Sequence, residues 1–323
     1  MKQSRDLEPE ADAARSTIAP RDVLLADIGG SHIRLARHRP GDDCELLATV
    51  PTPTKDWGQF CAALSGAVRV FAKPSAALSI SIAGVVSPQT GQLVAANIPC
   101  LNTRSLAKEL AALLGMPVVV TNDADCAALA EARVGAGVGH GVVFCAVLGT
   151  GVGGGLVVDG RLVRGAGGLT GEWGHGPIVN EAMVRSGDGR SVRVPRFRCG
   201  CGMSGCADTV GGARGLERLH AFLSQTDLSS HQILDDWMAG EPMALATVAA
   251  YIELISGPLA LVVNVTGASV VPVCGGLSRC SDLVSALDVA VRRQILRNSD
   301  RALVVPSLLN DRAGLIGAAY AYA

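Results

Sequence analysis

The sequence predicts an α/β protein built from two related halves. Three observations carry that expectation. Apolar, strand-like runs alternate with segments of helical spacing along the chain. At about 150 residues per domain, a chain of 323 residues suggests two domains. One plan also occurs twice: "DIGGSHIRL" and "LGTGVGGGL" each run an apolar strand into a tight glycine turn and out again. The repeat is weak at the residue level, and it hints at two halves with a cleft between them.

Element by element, residues 1–21 read as a flexible leader: they are charged and lack the apolar centre of a signal peptide. "DVLLADIGGSHIRLARHR" is a buried strand, a glycine turn and a second strand, and "CELLATVPT" is a third. "DWGQFCAALSGAVRVFA" has helical spacing and leads to the strand "ALSISIAG". "TRSLAKELAALLG" is a helix capped by Gly115 and followed by Pro117. "PVVVTND" is a short buried strand, and "ADCAALAEARVGAG" is a helix ending in glycines.

The second half repeats the theme. "GVVFCAVLGTGVGGGLVVDGRLVRG" reads as three strands joined by turns, and residues 176–212 are irregular. Helices follow at 213–225 and 241–263, then the strand "SVVPVCGG", a helix at 281–297, the strand "ALVVPSL" and a final helix from Asp311. The expected domains are 22–122, joined by the C-terminal helix 311–323, and 123–310, the latter with a cysteine loop at 175–210.

Composition narrows the function. Hydrophobic residues are 49% and charged residues 18%, enough for sizeable cores. A formal net charge of −1 and no polybasic run argue against nucleic acid and membrane surfaces as partners. Aromatic residues at 3% are too few for base-stacking platforms. Residues 254–278 carry no charge, but Pro258, Asn264, Gly267 and Pro272 interrupt them, so a helix end, a turn and a buried strand explain the run better than a membrane span. A cytoplasmic location is expected, where thiols stay reduced.

Four motifs carry chemistry. In "LADIGGSH", Asp27 ends a strand and Gly29 and Gly30 let backbone N–H groups approach an anion; Asp27 could hold a hydrated Mg²⁺, or the segment could be an ordinary hairpin turn. "LGTGVGGG" at 148–155 has five glycines in eight residues and could present N–H groups to phosphate, or be a close-packed hairpin. "VVVTNDADCAALAE" ends a buried strand at Asn122-Asp123. Asp123 could face the crevice at the strand ends and take a proton from a substrate hydroxyl, or merely cap the helix. Cys199, Cys201 and Cys206 crowd one glycine-rich turn. With His175 of "GEWGH" they make a Cys₃His set, a recognised structural zinc site, whereas a redox role would more usually show Cys-x-x-Cys.

In this order the four pieces resemble the ROK family of sugar kinases and related repressors, over residues 22–323. The resemblance includes an "ExGH" motif at Glu172–His175, a "CxCGxxGCxE"-type loop at Cys199–Asp208, "CGG" at 274–276 and "DRAGLIGAA" at 311–319. It implies a duplicated ribonuclease-H-like, actin-like fold, two α/β domains flanking a cleft. It implies transfer of the γ-phosphoryl of ATP to a hexose or N-acetylhexosamine, commonly at the 6-OH. Asp123 is then the general base. Gly84, Asn97, Asn122, Glu172 and His175, with Asp208, line the sugar site. His175, Cys199, Cys201 and Cys206 hold structural Zn²⁺. Asp27, Gly29, Gly30 and Ser31, with Gly149, Thr150 and Gly151, approach the phosphates and Mg²⁺, and Gly275 and Gly276 the adenosine. A small-molecule sugar and a second copy of the chain are the expected partners. Two positions depart from the family pattern: Asp125 replaces Asn in "NDAN", and Asp208 replaces the Glu that hydrogen-bonds the sugar, one methylene shorter. The rivals are a sugar-responsive regulator, against which stands the short, non-basic segment before Asp27, and a non-catalytic sugar-binding protein.

Overall fold

The computed structural model describes residues 23–39, 43–73, 76–95, 97–177, 183–185, 191–297 and 300–322. The expected leader lies outside the described residues, as do parts of the 175–210 loop.

Two five-stranded sheets share one topology. The first contains β1 (Val23–Ile28), β2 (His32–Arg39), β3 (Asp43–Pro51), β4 (Ala77–Ile82) and β5 (Val118–Asn122), in the order β3-β2-β1-β4-β5. The second contains β6 (Val142–Leu148), β7 (Val152–Val158), β8 (Arg161–Leu162), β9 (Val271–Cys274) and β10 (Val304–Pro306), in the order β8-β7-β6-β9-β10. In each sheet the first three strands pair antiparallel, and the last two run parallel to the first. This is the duplicated ribonuclease-H-like arrangement that the resemblance implies. Parallel central strands are buried on both faces, which is why "VLLADI" and "ALSISI" read as continuous apolar runs rather than alternating ones.

Helices form the other layers. Helices α1 (Trp57–Phe71) and α2 (Leu106–Leu114) cover one face of the first sheet, placing Phe60, Leu64, Val68, Leu106 and Leu110 on Ile33, Ile80 and Ile82. Asp56 caps α1 by accepting from the Gln59 N–H at 2.7 Å, and Gly115 ends α2 at φ 67°. Helix α3 (Asp123–Val134) lies on the second sheet. Helices α4 (Ala213–Ser224), α5 (Ser230–Met238), α6 (Pro242–Thr266) and α7 (Ser281–Arg292) fill the far side of that sheet. The C-terminal helix α8 (Ala313–Tyr322) packs on β1 and β4 of the first sheet and against α3. The Ser79 hydroxyl donates to the Ala318 carbonyl at 2.6 Å, fastening α8 to β4.

The contact between α3 and α8 is backbone to backbone. A Cβ on Gly317 would collide with the Cys126 carbonyl oxygen, and one on Gly155 of β7 would lie 2.7 Å from the Ala128 Cβ. Small residues on α3 ("ADCAALAEA") let three elements meet this closely. Fully buried Glu131 holds the far end of α3. One oxygen accepts from the Ser307 hydroxyl and from the Leu309 N–H at 3.2 Å, and the other from the Ala136 N–H at 2.8 Å.

Some elements differ from the sequence reading. Helix α6, expected at 241–263, continues to Thr266 and ends at Gly267, φ 69°, with Pro258 inside it. Its flanking residues Leu254, Ile255, Leu259 and Ala260 are buried in the second core, and that packing outweighs the lost hydrogen bond. By length and composition α6 could cross a membrane, but Val248, Tyr251, Leu259 and Val263 face the core. Helix α5 was not expected, α7 stops at Arg292, and α8 begins at Ala313 after a 3₁₀ turn over 310–312.

Two glycine substitutions should therefore act with opposite signs. Gly317→Ala forces α3 and α8 apart and should cost about 1–3 kcal/mol, lowering the urea midpoint. Gly66→Ala, inside α1 with open space around its Cβ position, should gain roughly 0.5–1 kcal/mol. Equal midpoints for the two variants would contradict the tight helix crossing.

Candidate active site

The site begins where the parallel strands end side by side. The register places Asp27 opposite Ser81, Ser81 opposite Thr121, and Ile82 opposite Asn122. Ligands of open α/β sheets sit beyond such carboxyl ends. Asp27 is also the direct cross-strand partner of Arg34. Arg34 donates to Asp27 Oδ2 through Nη2 and, at 3.2 Å, through Nε, while the Ser81 hydroxyl donates to Oδ1 at 3.0 Å. Neither Arg34 nor Ser81 was expected from sequence. Both Asp27 oxygens thus have protein partners, an arrangement compatible with the hydrated, water-separated Mg²⁺ expected beside this residue.

The cap of α3 belongs to Asn122. Its Oδ1 accepts from Ala124 N–H at 2.8 Å and Asp125 N–H at 3.1 Å. Its Nδ2 donates to the Gly84 carbonyl at 2.9 Å, joining two expected sugar-site residues. Asp123 is therefore the first helical residue, not the cap. Its carboxyl accepts locally from Ala124 N–H at 3.0 Å, and the residue is exposed. Protein crowds its flanks while its tip meets solvent. That partial desolvation, then the negative charge of Asp27 and more weakly that of Glu172, lift its pKa to about 6, against two backbone hydrogen bonds. Asp125, one turn face away, rises to about 7 through burial, with Glu172 and Asp123 adding to the rise and Arg164 opposing it. Asn97 lies against Gly30: a Cβ on that glycine would be 3.2 Å from the Asn97 Cβ.

Glu172 links this acidic group to the cysteine loop. Its Oε2 lies 3.8 Å from His175 Nε2, and its carbonyl accepts from the His175 N–H at 3.1 Å. The other ring nitrogen, Nδ1, is 3.6 Å from Cys199 Sγ. Cys201 Sγ and Cys206 Sγ are 3.6 Å apart, and one ligand atom from each of His175, Cys199, Cys201 and Cys206 lies within 4.8 Å of all the others. Tetrahedral zinc with Zn–S of ~2.3 Å separates its ligand atoms by ~3.5–3.8 Å, so the set fits after small rotamer adjustments. Metal on Nδ1 would leave the proton on Nε2, pointed at Glu172.

Asp208 stands at the junction of the loops. Its Oδ1 accepts from the Val152 N–H at 2.7 Å, and its Oδ2 is 3.7 Å from Cys199 Sγ. Both carboxylate oxygens thus have protein neighbours.

The glycine turns match between halves. Gly29 N–H donates to the His32 carbonyl and Gly149 N–H to the Gly151 carbonyl, each at 3.0 Å, immediately after β1 and β6. Those two amides close the turns and are not offered outward. Gly30, Ser31, Thr150, Gly275 and Gly276 are exposed at the tips. Gly275 (φ 93°) presses on the second turn: a Cβ there would lie 2.6 Å from Gly149 N. Beyond Gly276 a cavity of about 530 Å³ is lined by Ser278, Arg279, Pro306, Ser307, Asn310 and Asp311. Strand ends, turns and cysteine loop are thus linked: the charges of Asp27 and Glu172 bear on Asp123, and Asp208 joins the cysteine loop to the second glycine turn.

Known proteins resemble the chain over this whole region. The ROK family model matches residues 24–323. The N-acetylgalactosamine kinase AgaK of Shewanella sp. (strain ANA-3) is 32% identical, covering 83% of this chain and 86% of that protein. The N-acetyl-D-glucosamine kinase of Yersinia enterocolitica is 29% identical, covering 91% and 97%. The crystal structure of a ROK family glucokinase from Streptomyces griseus, in complex with glucose and AMPPNP, superposes with a TM-score of 0.74 at 28% identity, covering 93% and 98%.

The cysteine loop gives a direct test. Protein purified without chelators should carry about one zinc per chain, and Cys201→Ala should lose it. Elemental analysis finding no metal in fully reduced protein would remove the site.

Proposed function

The chain belongs to the ROK family, and from that premise we propose that it is an ATP-dependent kinase acting on a hexose or N-acetylhexosamine at the 6-OH. Glucose, N-acetylglucosamine and N-acetylmannosamine are the leading acceptors. The observation that carries the reading is the Asp123 carboxyl: freed from capping by Asn122, open to the crevice, and held near pKa 6 by its surroundings. A general base works best when its pKa lies near the operating pH.

The chemistry follows from the residues. The sugar hydroxyl oxygen attacks the γ-phosphorus and forms the new O–P bond as the bond to the ADP oxygen breaks. The hydroxyl proton passes to Asp123. Gly84, Asn97, Asn122 and Glu172 orient the sugar. The exposed tips at Gly30–Ser31 and Thr150 face the phosphates, and Gly275–Gly276 with the neighbouring cavity take the nucleoside. Such transfer depends mainly on positioning and electrostatic stabilisation. Mg²⁺ would arrive on the phosphates, neutralising their charge and keeping its own waters. His175 and the three cysteines would hold a zinc ion with a structural task. The reading sets the reaction in the cytoplasm, where ATP is supplied, with the free sugar as partner.

An assay of ADP release against a panel of hexoses and N-acetylhexosamines tests the reading. Sugar-dependent ADP formation, with a phosphomonoester seen by ³¹P NMR, is expected. Sugar binding without turnover would mean a binding protein, and sugar-dependent DNA binding a regulator.

Asp123→Asn should lower kcat by ~10²-fold or more while leaving sugar affinity nearly intact. In the wild type, kcat/KM should fall as pH drops through an acid limb near 6, because the protonated carboxyl cannot accept the hydroxyl proton. Asp27→Asn removes a negative neighbour and should move that limb to lower pH. A limb indifferent to position 27 would contradict the coupling of the two carboxyls.

A further inference from the structure

We propose that Asp208 is a positioning residue for the nucleotide half of the site, tying the cysteine loop to the glycine hairpin. The inference rests on the kinase reading above, and it assigns this residue away from the sugar.

Four contacts carry it. Asp208 Oδ1 accepts from the Val152 N–H at 2.7 Å, and Val152 opens β7 directly after the Gly149–Gly151 turn. Val152 is 7% exposed, so water cannot readily replace that acceptor. A Cβ on Gly151 would lie 2.5 Å from the same oxygen, so the hairpin has closed onto this carboxylate with no side chain between. Oδ2 faces Cys199 Sγ at 3.7 Å, and the Asp208 N–H donates to the Gly174 carbonyl at 2.9 Å, beside His175. One residue therefore touches the cysteine loop and the root of the turn that faces phosphate through its short side chain, and the segment holding Glu172 and His175 through its backbone N–H.

The length of the side chain matters. A charged acceptor on a buried N–H is a strong, short-range constraint. It fixes the direction in which the hairpin leaves the sheet, and with it the amides at its tip. A Glu at this position would carry its carboxylate one methylene beyond the point at which Asp208 Oδ1 meets the Val152 N–H. Asp suits the hairpin contact, and the Val152 N–H would stand unpaired without it.

Changes at this position should then be read in nucleotide binding. Full-length protein of measured metal content is compared by ADP calorimetry, by KM for ATP and for sugar, and by hydrogen exchange at the Val152 amide. Asp208→Ala should weaken ADP binding and raise KM for ATP by ~10-fold, the scale of a lost acceptor on a buried donor, with KM for sugar within ~2-fold. The Val152 amide should exchange faster. Asp208→Asn keeps an Oδ1 acceptor and should hold ADP affinity within ~3-fold of wild type.

The opposite pattern, a raised sugar KM or reordered hexose preference with unchanged ADP affinity, overturns the proposal. If Asp208→Ala does not fold, Asp208→Glu and Asp208→Asn decide: the Glu variant should lose ADP affinity and the Asn variant should not, and equal binding by both overturns it. A wild-type protein that binds no adenine nucleotide would instead sink the kinase reading. In that case the Val152 amide still judges the tie, and rapid exchange in the wild type rejects it.

Discussion

The close crossing of α3 and α8 is the contact on which the rest of the molecule depends. Each helix lies on a different sheet, and they meet where Gly317 leaves the Cys126 carbonyl uncovered by any side chain. That approach brings the ends of β1, β4 and β5 into the same crevice as the turns of the second sheet. It also makes α3 a rigid post. Asn122 fixes its start to Gly84, and Glu131 fixes its end to Ser307 and Leu309. Asp123 sits on top of a helix held at both ends, which is what a proton-accepting group needs if its distance to a substrate is to be reproducible.

Charge is the second constraint, and it works against ligand binding as much as for it. Asp27, Asp123, Asp125 and Glu172 act on one another across the crevice, with Arg34 and Arg164 as the neighbouring cations. Asp27 and Glu172 add to the raised pKa of Asp123, and Glu172 and Asp123 to that of Asp125. A triphosphate adds more negative charge to such a place. On the kinase reading it settles where amides and a cation of its own offset the carboxylates, its body at the glycine-lined end with only the γ-phosphoryl reaching the sugar hydroxyl beside Asp123. The acidic group and the glycine turns therefore divide the crevice: hydroxyls of a neutral sugar suit the first, phosphate the second. Arg34 contributes by holding the Asp27 carboxylate still beside the site.

Much of the fold could be read from sequence because its signals are local. Buried parallel strands are apolar runs that stop at Gly or Asn-Asp, and both glycine turns stood out. Other features were written locally but went unused. Ser229 and Gln232 form a capping box at the start of α5, a Ser-x-x-Gln signature visible in the sequence. Counting outward from the "GGSH" turn pairs Ile28 with Ile33 and Asp27 with Arg34, which would have revealed the clamp on Asp27. What could not be read was the choice between Asn122 and Asp123 as the cap. Both types cap helices, and only the reach of Asn122 Nδ2 to Gly84, thirty-eight residues earlier, decides it. Pro258 is tolerated inside α6 for a similar reason: its cost is local, while the packing that outweighs it comes from elsewhere in the chain.

The two departures from the family pattern follow from the same division of the crevice. At position 125, an Asp in place of Asn adds a carboxyl to the first turn of α3. A helix start favours negative charge, and Arg164 does too, but burial and the neighbouring Glu172 and Asp123 oppose it. The balance falls at about 7, so near neutrality the extra charge is only about half present. At position 208, the shorter acid meets the hairpin amide of Val152. Neither change adds or removes a group among Gly84, Asn97, Asn122 and Glu172. On the kinase reading, then, what distinguishes one hexose from another is the shape left between those four residues, and the departures tune the charge and the nucleotide end around it.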